Sequence, residues 1–318
     1  MSRRAFPPDL LFDGMKPKHP FAVRILVSSC LVALPVMWAG SAISALAAGA
    51  TGPTERSDLT LANLFCMGWD EPWSKRPHPD GAPDMTLLRV QSNLLLYSLR
   101  TDYYFERMTP ANRDRQIQFA NQLFEFSPNR RLMVGAFGNF EWMDGRTRPD
   151  REGGGYGALA RLQLIDLKDT SYAFNLRAAA PNEGIGERQT VTSFALAGWH
   201  DLTPLGLHRV GLYWHLQEET WIGPALAGGR RNDLTYDLTL AKTWTAPTSR
   251  LENFTTFVEA FSKTDLDGPN RRHSVVTLTP GFRFNLHHHH VIMTGVDLPV
   301  SAPRPFEEIL RVTYIYSF

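Results

Sequence analysis

The sequence predicts an all-β chain: a transmembrane antiparallel β-barrel of about twelve strands, preceded by a cleaved signal peptide. Three observations carry this. Beyond residue 85 apolar and polar residues alternate with a period of two. The alternating segments run to about ten residues or more, longer than strands of soluble sheets and long enough to cross a bilayer when tilted. Tight turns and longer polar connectors follow one another in turn, the layout of a barrel with short turns on one rim and loops on the other.

The N-terminus reads as an export signal. Arg3, Arg4, Lys16, Lys18 and Arg24 precede an apolar stretch at 25–39, and small residues follow up to Ala45-Leu46-Ala47. Basic, apolar, small-x-small is the order of a secretory signal, so cleavage is expected near Ala47, with Met1 or Met15 as the start. The apolar stretch is short for a retained anchor. Asp9, Asp13 and Pro7-Pro8 separate Arg3-Arg4 from the apolar core, against a twin-arginine signal, and Cys30 lies inside that core, against a lipoprotein site. Removing residues 1–47 takes five basic and two acidic residues and leaves 28 basic against 30 acidic. That balance excludes a nucleic-acid binder that relies on a basic surface. Cys66 is then the sole cysteine, so no internal disulfide holds the fold. No apolar run past residue 50 is long enough for a spanning helix.

Residues 48–84 are rich in Pro, Asp and Gly and read as a periplasmic extension or a plug. From residue 85 the barrel begins. Twelve segments can be drawn: 86–105, 114–127, 130–143, 156–167, 170–181, 188–201, 207–221, 232–245, 251–264, 272–286, 290–299 and 307–318. The alternation is clear where Leu234, Tyr236, Leu238 and Leu240 oppose Thr235, Asp237 and Thr239, and where Val210, Leu212, Trp214 and Leu216 oppose Tyr213 and His215. In 116–126 and 190–200 neither face is clearly apolar. Tight turns are expected at 127–129, 167–169, 202–206, 246–250 and 287–290. Longer connectors are expected at 107–113, 144–155, 182–187, 222–231 and 265–271. With both ends periplasmic, the longer ones face outward.

A soluble sandwich also alternates, but it turns its apolar faces into one shared core. Here Glu141, Arg161, Arg177, Arg209, Asp237, Glu259, Arg283 and Arg311 lie opposite apolar residues, and a dry core could hardly hold so many charges. A wet lumen can. These eight residues, with His215, are the candidate lumen-lining, solute-binding set. Trp142, Trp199, Trp221, Trp244 and Tyr316 are candidates for interfacial aromatic girdles.

Leu310, Val312, Tyr314, Tyr316 and Phe318 alternate up to a terminal Phe. This resembles the C-terminal signal of bacterial outer-membrane barrels, and the resemblance implies recognition of Tyr314, Tyr316 and Phe318 by the barrel-insertion machinery. The stretch Thr277-Leu278-Thr279-Pro280-Gly281-Phe282-Arg283-Phe284-Asn285-Leu286, with the tail, resembles outer-membrane transporters of the phenol-degradation-pathway type. That resemblance covers only residues 277–318 and carries over no functional residues.

No enzyme is expected. Outer-membrane phospholipases pair a Ser with a His on a twelve-strand barrel; Ser193 and His200 are present, but no family motif surrounds them. Glu218 and Glu219 are adjacent in a strand and point to opposite faces. Gly153–Ala158 matches G-x-G-x-x-A but precedes a strand rather than a helix, so it reads as an external loop, not a dinucleotide site. His287–His290 could bind a metal ion, but a solvated turn is the better reading. The expected function is a channel or transporter passing small solutes, anionic ones included, through a narrow polar lumen in the outer membrane. The alternatives are a closed structural or surface-binding barrel, and a membrane-embedded hydrolase. The expected partners are outer-membrane lipid, the insertion machinery and a small-molecule solute. No nucleic acid, cofactor or metal is expected, and the protein is expected to be monomeric.

Overall fold

Alternating sequence gives alternating exposure. In β8 (Arg230–Thr243), Asp233, Thr235, Asp237, Thr239 and Ala241 are buried, while Tyr236, Leu238 and Leu240 are about half exposed. A side-chain period of two sends every second residue to one face. Along the wall apolar residues form the outer belt, while the inner face carries buried polar and charged residues beside an apolar group that includes Trp199, Tyr213, Phe257, Val291, Met293 and Ile315. A computed structural model describes residues 57–74, 82–83, 85–89, 92–108, 115–145, 151–180, 190–223, 230–244, 251–267, 271–286, 289–302 and 304–318. The export signal expected over 1–47 lies outside the described residues, as do His287 and His288.

The strands are β1 (Ser98–Met108), β2 (Arg115–Phe126), β3 (Leu132–Gly145), β4 (Arg151–Asp166), β5 (Thr170–Ala179), β6 (Thr190–Asp201), β7 (Val210–Ile222), β8, β9 (Leu251–Asp265), β10 (Ser274–Leu286), β11 (His290–Pro299) and β12 (Phe306–Ser317). Each pairs antiparallel with its sequence neighbours, and β1 pairs with β12, so the sheet closes on itself. Closure leaves no free edge, which a structure in hydrocarbon requires. The seam is finished by aromatics. The Phe318 ring lies 4.9 Å from Tyr97 and 5.1 Å from Tyr316, and the Phe318 N–H donates to the Tyr97 carbonyl. Among the described residues no helix is long and apolar enough to cross a membrane.

Three expectations change. The first strand begins at Ser98, not at residue 86. Met85, Leu87 and Leu88 are instead buried against inner-wall residues of β6 to β9, β11 and β12. In Met85-Thr86-Leu87-Leu88-Arg89 and the residues after it neither alternate set is consistently apolar, so the run has no lipid-facing side to offer a wall position. Second, β4 begins at Arg151, so Gly153–Ala158 is strand and not loop. Its glycines are places of close approach: a Cβ on Gly157 would lie 2.2 Å from Phe137 Cζ and 2.3 Å from the Ala178 oxygen. Third, the difference between turns and loops is weaker than expected. β4 starts earlier, and the β6–β7 connector carries a one-turn 3-10 helix at Thr203–Leu205 that extends it to Arg209.

Gly157→Ala should therefore destabilise the barrel by about 1–3 kcal/mol, the cost of overpacking a filled site. Gly138→Ala is the control, since its nearest neighbour would be 3.9 Å away. Heat-dependent migration of the folded barrel on gels measures both. Equal behaviour of the two variants would refute the steric reading.

Candidate functional site

The interior is not empty. The rim holding Ser98, the β2–β3 turn and Phe318 is the periplasmic one in the layout of outer-membrane barrels. Two pieces of the N-terminal region occupy that side. Residues 57–74 sit on the rim itself. Leu59 exchanges backbone hydrogen bonds with Asp166 at the β4–β5 turn. Arg131, in the β2–β3 turn, is 0% exposed and donates from every guanidinium nitrogen. Its acceptors are the carbonyls of Met67 (2.9 Å), Thr60 (3.2 Å), Asn63 (3.1 Å), Gln163 (2.9 Å) and Leu164 (3.1 Å), with Asn63 Oδ1 at 2.6 Å. Burial, then the neighbouring Arg130 charge, pushes its pKa below the ordinary arginine value. Arg130 binds the same segment through Glu71 and the Ser57 carbonyl (2.6 Å), with Asp166 at 3.5 Å.

The second piece, the described residues of 82–97, lies inside the barrel. Trp199 donates to the Pro83 carbonyl at 3.1 Å, and the Tyr213 hydroxyl donates to the same oxygen. The Leu88 N–H donates to Glu259 Oε1 at 2.8 Å, and Arg89 pairs with Asp297 at 3.0 Å. Arg100 donates to the Leu87 carbonyl at 2.9 Å, Asn93 to Ser171 at 2.9 Å, and Arg161 to the Leu94 carbonyl. Ala173, Ala195, Ala197 and Ala241 supply the small, buried wall positions around this segment. This explains the unclear faces of 190–200: the inner face of β6 is Ser193, Ala195, Ala197 and Trp199 because chain packs against it.

The candidate residues now have definite places. Arg311 pairs with Asp297 at 2.7 Å and lies over the Tyr104 ring at 4.2 Å. Arg161 reaches Asn175 and lies 3.7 Å from Glu125. Asp237 accepts from Thr239 at 2.7 Å and stands opposite His215 across the β7–β8 ladder. Both His215 ring nitrogens are buried without a hydrogen-bond partner among the described residues. Glu259 is diagonal to Asp237, so Glu259, Asp237 and Arg311 gather around the tip of the inner segment. Arg177 lies over the Phe137 ring at 4.2 Å. Glu141 faces inward near the outer end of β3, and Arg283 faces inward near the periplasmic end of β10. Arg209 does not belong with them. It precedes β7 in the turn with a left-handed backbone, φ 59°, so the strand's alternation does not reach it.

The arginines are therefore not a ladder of one sign, because acids interleave with them. Arg100 holds Asp102 at 2.8 Å. Nearer the outer mouth Lys263 meets Asp233 at 2.9 Å, and Arg231 bridges Asp233 and Asp265 at 3.0 Å each. The sequence reading missed Arg89, Asp297, Arg100, Asp102, Arg130 and Arg131. Inward parity within 290–299 marks Asp297, but nothing local marks Arg89 or Arg131, whose partners are distant in sequence.

Two girdle candidates also move. Trp199 is 1% exposed and faces the lumen. Trp221 faces inward too, its ring 5.3 Å from Lys263 Nζ. Odd-numbered residues of β6 and β7 point inward, and parity overrides rim position. Trp142, Trp244 and Tyr316 fall on the outward face. Tyr314 does as well, with His290 Nδ1 2.7 Å from its hydroxyl. His289 meets the Ser317 carbonyl at 2.8 Å. Among the described residues no His, Cys, Asp or Glu group is arranged to hold a metal. Ser193 faces the lumen and His200 the outside, roughly 23 Å along the strand at about 3.3 Å per residue, so they form no pair. His200 Nε2 instead lies 3.3 Å from the Tyr172 hydroxyl.

A closed twelve-strand barrel with an apolar outer belt and a charged interior is a transmembrane barrel of the outer-membrane type. No protein-family model matches the sequence, and no curated protein sequence does either. Solved structures match by shape. The β-domain of the Bordetella autotransporter BrkA superposes with a TM-score of 0.52 at 13% identity, over 70% of this chain and 99% of that one. The KdgM porin gives 0.43 at 13% identity over 69% and 99%. LpxR from Salmonella typhimurium gives 0.44 at 10% identity over 70% and 100%. At these identities the likeness to the autotransporter domain is one of fold.

Proposed function

We propose that the protein is an outer-membrane channel for small polar solutes, anions among them, whose lumen is closed in its periplasmic half by residues 82–97. The observation that supports this is how the inner segment is held. It is not a thirteenth strand of the wall. It is fastened at separate points: Pro83 to Trp199 and Tyr213, Leu88 to Glu259, Arg89 to Asp297. These contacts, and the apolar packing of Met85, Leu87 and Leu88 on the inner wall, are all separate from the wall's backbone ladder, so the segment can leave while the ladder stays intact, and a barrel of this size has room for a narrow path once it does. Conductance in planar bilayers tests the reading: brief, rare openings are expected from the full chain. A bilayer that stays silent under all voltages, also after removal of the inner segment, would refute it.

The pairing of inner charges favours a second reading, a closed barrel that presents its loops to partners without transport. The ion path separates the two. Arg177 has no carboxylate within ion-pair distance among the described residues. If solutes pass it, Arg177→Ala should lower the anion-over-cation permeability ratio by about two- to sixfold, the effect of one unit charge acting through water at roughly 4–8 Å. An unchanged ratio in an open channel would remove Arg177 from the path.

The outward alternation of Tyr314 and Tyr316, with Phe318 at the seam, supports reading these residues as the signal for the insertion machinery. The basic, apolar, small-residue order of 1–47 supports export to the outer membrane.

A further inference from the structure

Two buried polar side chains on the inner wall of β5 and β6 are left unanswered. Asn175 and Ser193 are 0% and 1% exposed. Asn175 Nδ2 and Ser193 Oγ have no hydrogen-bond partner among the described residues. Such groups are rare in folded proteins, and each calls for a reason. The two share one patch of wall. Register sets Asn175 opposite Ala195 and Arg177 opposite Ser193, so three polar side chains surround a small one. His215, whose ring nitrogens are both unpartnered, borders the patch on β7, between Ala197 and Asp237. Glu219 stands opposite Ser193 on β7, and it is already held by Gln217 at 2.6 Å and Lys263 at 3.5 Å.

Arg161 completes the patch. Its Nε donates to Asn175 Oδ1, so the free end of Asn175 is its NH2 donor. Its Nη1 donates to the Leu94 carbonyl of the inner segment, with Glu125 Oε1 at 3.7 Å. When the inner segment leaves, Nη1 loses that acceptor. A guanidinium, an amide NH2 and a hydroxyl then stand together as donors, with Arg177 beside them. We propose that this patch is a carboxylate site of the released state. A small carboxylate takes the place of the Leu94 carbonyl on Arg161, in the charge-assisted geometry that arginine favours. It also accepts from Asn175 Nδ2 and Ser193 Oγ. A ligand shifts an equilibrium only by binding one state better than the other, and here the Leu94 carbonyl denies it the closed state. The proposal rests on the reading that the inner segment closes the lumen, and it makes the solute the agent that opens it. Two arginines against Glu125 leave one charge to answer, which suits a carboxylate rather than a doubly charged phosphate.

Limited proteolysis of the full chain in lipid nanodiscs tests this, with cleavage within 82–97 followed by mass spectrometry in propionate and in chloride at equal ionic strength. At about ten times its dissociation constant, a ligand of the released state alone raises that state about tenfold, and cleavage with it. Propionamide, the neutral isostere, should leave the rate unchanged. Ser193→Ala, and separately Asn175→Leu, should each move the propionate midpoint about tenfold higher, the loss of one hydrogen bond to a charged group. Heat-dependent gel migration shows that each variant is folded. No acceleration by propionate, equal acceleration by propionamide, a stronger effect of inorganic phosphate, or an unchanged midpoint in both variants would overturn the proposal. Planar bilayers separate it from the channel reading. A barrel cleaved faster in propionate that never conducts keeps the site and refutes the channel. A barrel that opens equally in propionate and chloride keeps the channel and overturns the site.

Discussion

Arg131→Ala should leave the barrel closed and free residues 57–74 from its rim. Six acceptors converge on this one side chain, and four of them belong to that segment. Removing a buried, fully paired charge costs about 3–5 kcal/mol, because the groups it served are left buried without partners. The loss is local, since the wall's ladder does not use Arg131's side chain, so it should appear as opening of the segment rather than as unfolding. Protease cleavage within 57–97 of the folded protein should accelerate by about a hundredfold or more. The temperature of the gel-migration shift should hardly move. Arg131→Lys should not restore protection, because an ammonium cannot reproduce the planar fork that reaches Met67, Asn63 and Gln163 together. Cleavage at the parent rate in Arg131→Ala would show that the segment is held by other contacts.

The second large effect is expected at Glu259. Its carboxylate accepts from the Leu88 N–H at 2.8 Å inside the barrel. In Glu259→Ala that N–H has no acceptor in the closed arrangement, a cost of about 1–3 kcal/mol. If the inner segment is what closes the lumen, the open fraction should rise by about 10- to 100-fold. Glu259→Gln keeps an acceptor oxygen and should fall between alanine and the parent. Arg89→Ala removes the neighbouring contact to Asp297. Both contacts fasten the same stretch of the inner segment, at the adjacent residues Leu88 and Arg89, so the double variant should show less than the sum of the single effects. Equal open fractions in the parent, Glu259→Ala and Arg89→Ala would mean that the inner segment is not the barrier.

Much of the wall was legible because its signal is local. In β8, Leu238 and Asp237 are sent to lipid and lumen by a period of two that needs no knowledge of the rest of the chain. The expected segments 170–181 and 290–299 coincide closely with β5 and β11. The errors fall where a residue's place depends on a distant partner. The segment drawn at 86–105 loses its first half to the lumen, since Leu88 has a partner in β9 and Arg89 in β11. Gly153–Ala158 looked like a loop because glycine is common in loops. In the barrel the same absence of side chains lets Phe137 lie across Gly157, with Arg177 over the same ring at 4.2 Å. Trp199 looked like a girdle residue from its position near a strand end, yet its partner is the Pro83 carbonyl inside.

By itself the sequence determined the class of strand, its length, the outward belt and the inward charges, because each follows from the order of neighbouring residues. The tertiary structure alone decided what the inward charges do. Arg311 could serve an anionic solute or an aspartate, and the pairing of β11 with β12, which sets Gly295 opposite Arg311, brings Asp297 to 2.7 Å from it. Only closure surrounds the described residues of 82–97 with wall. Period and polarity are properties of a strand, whereas an occupied lumen is a property of all the strands at once.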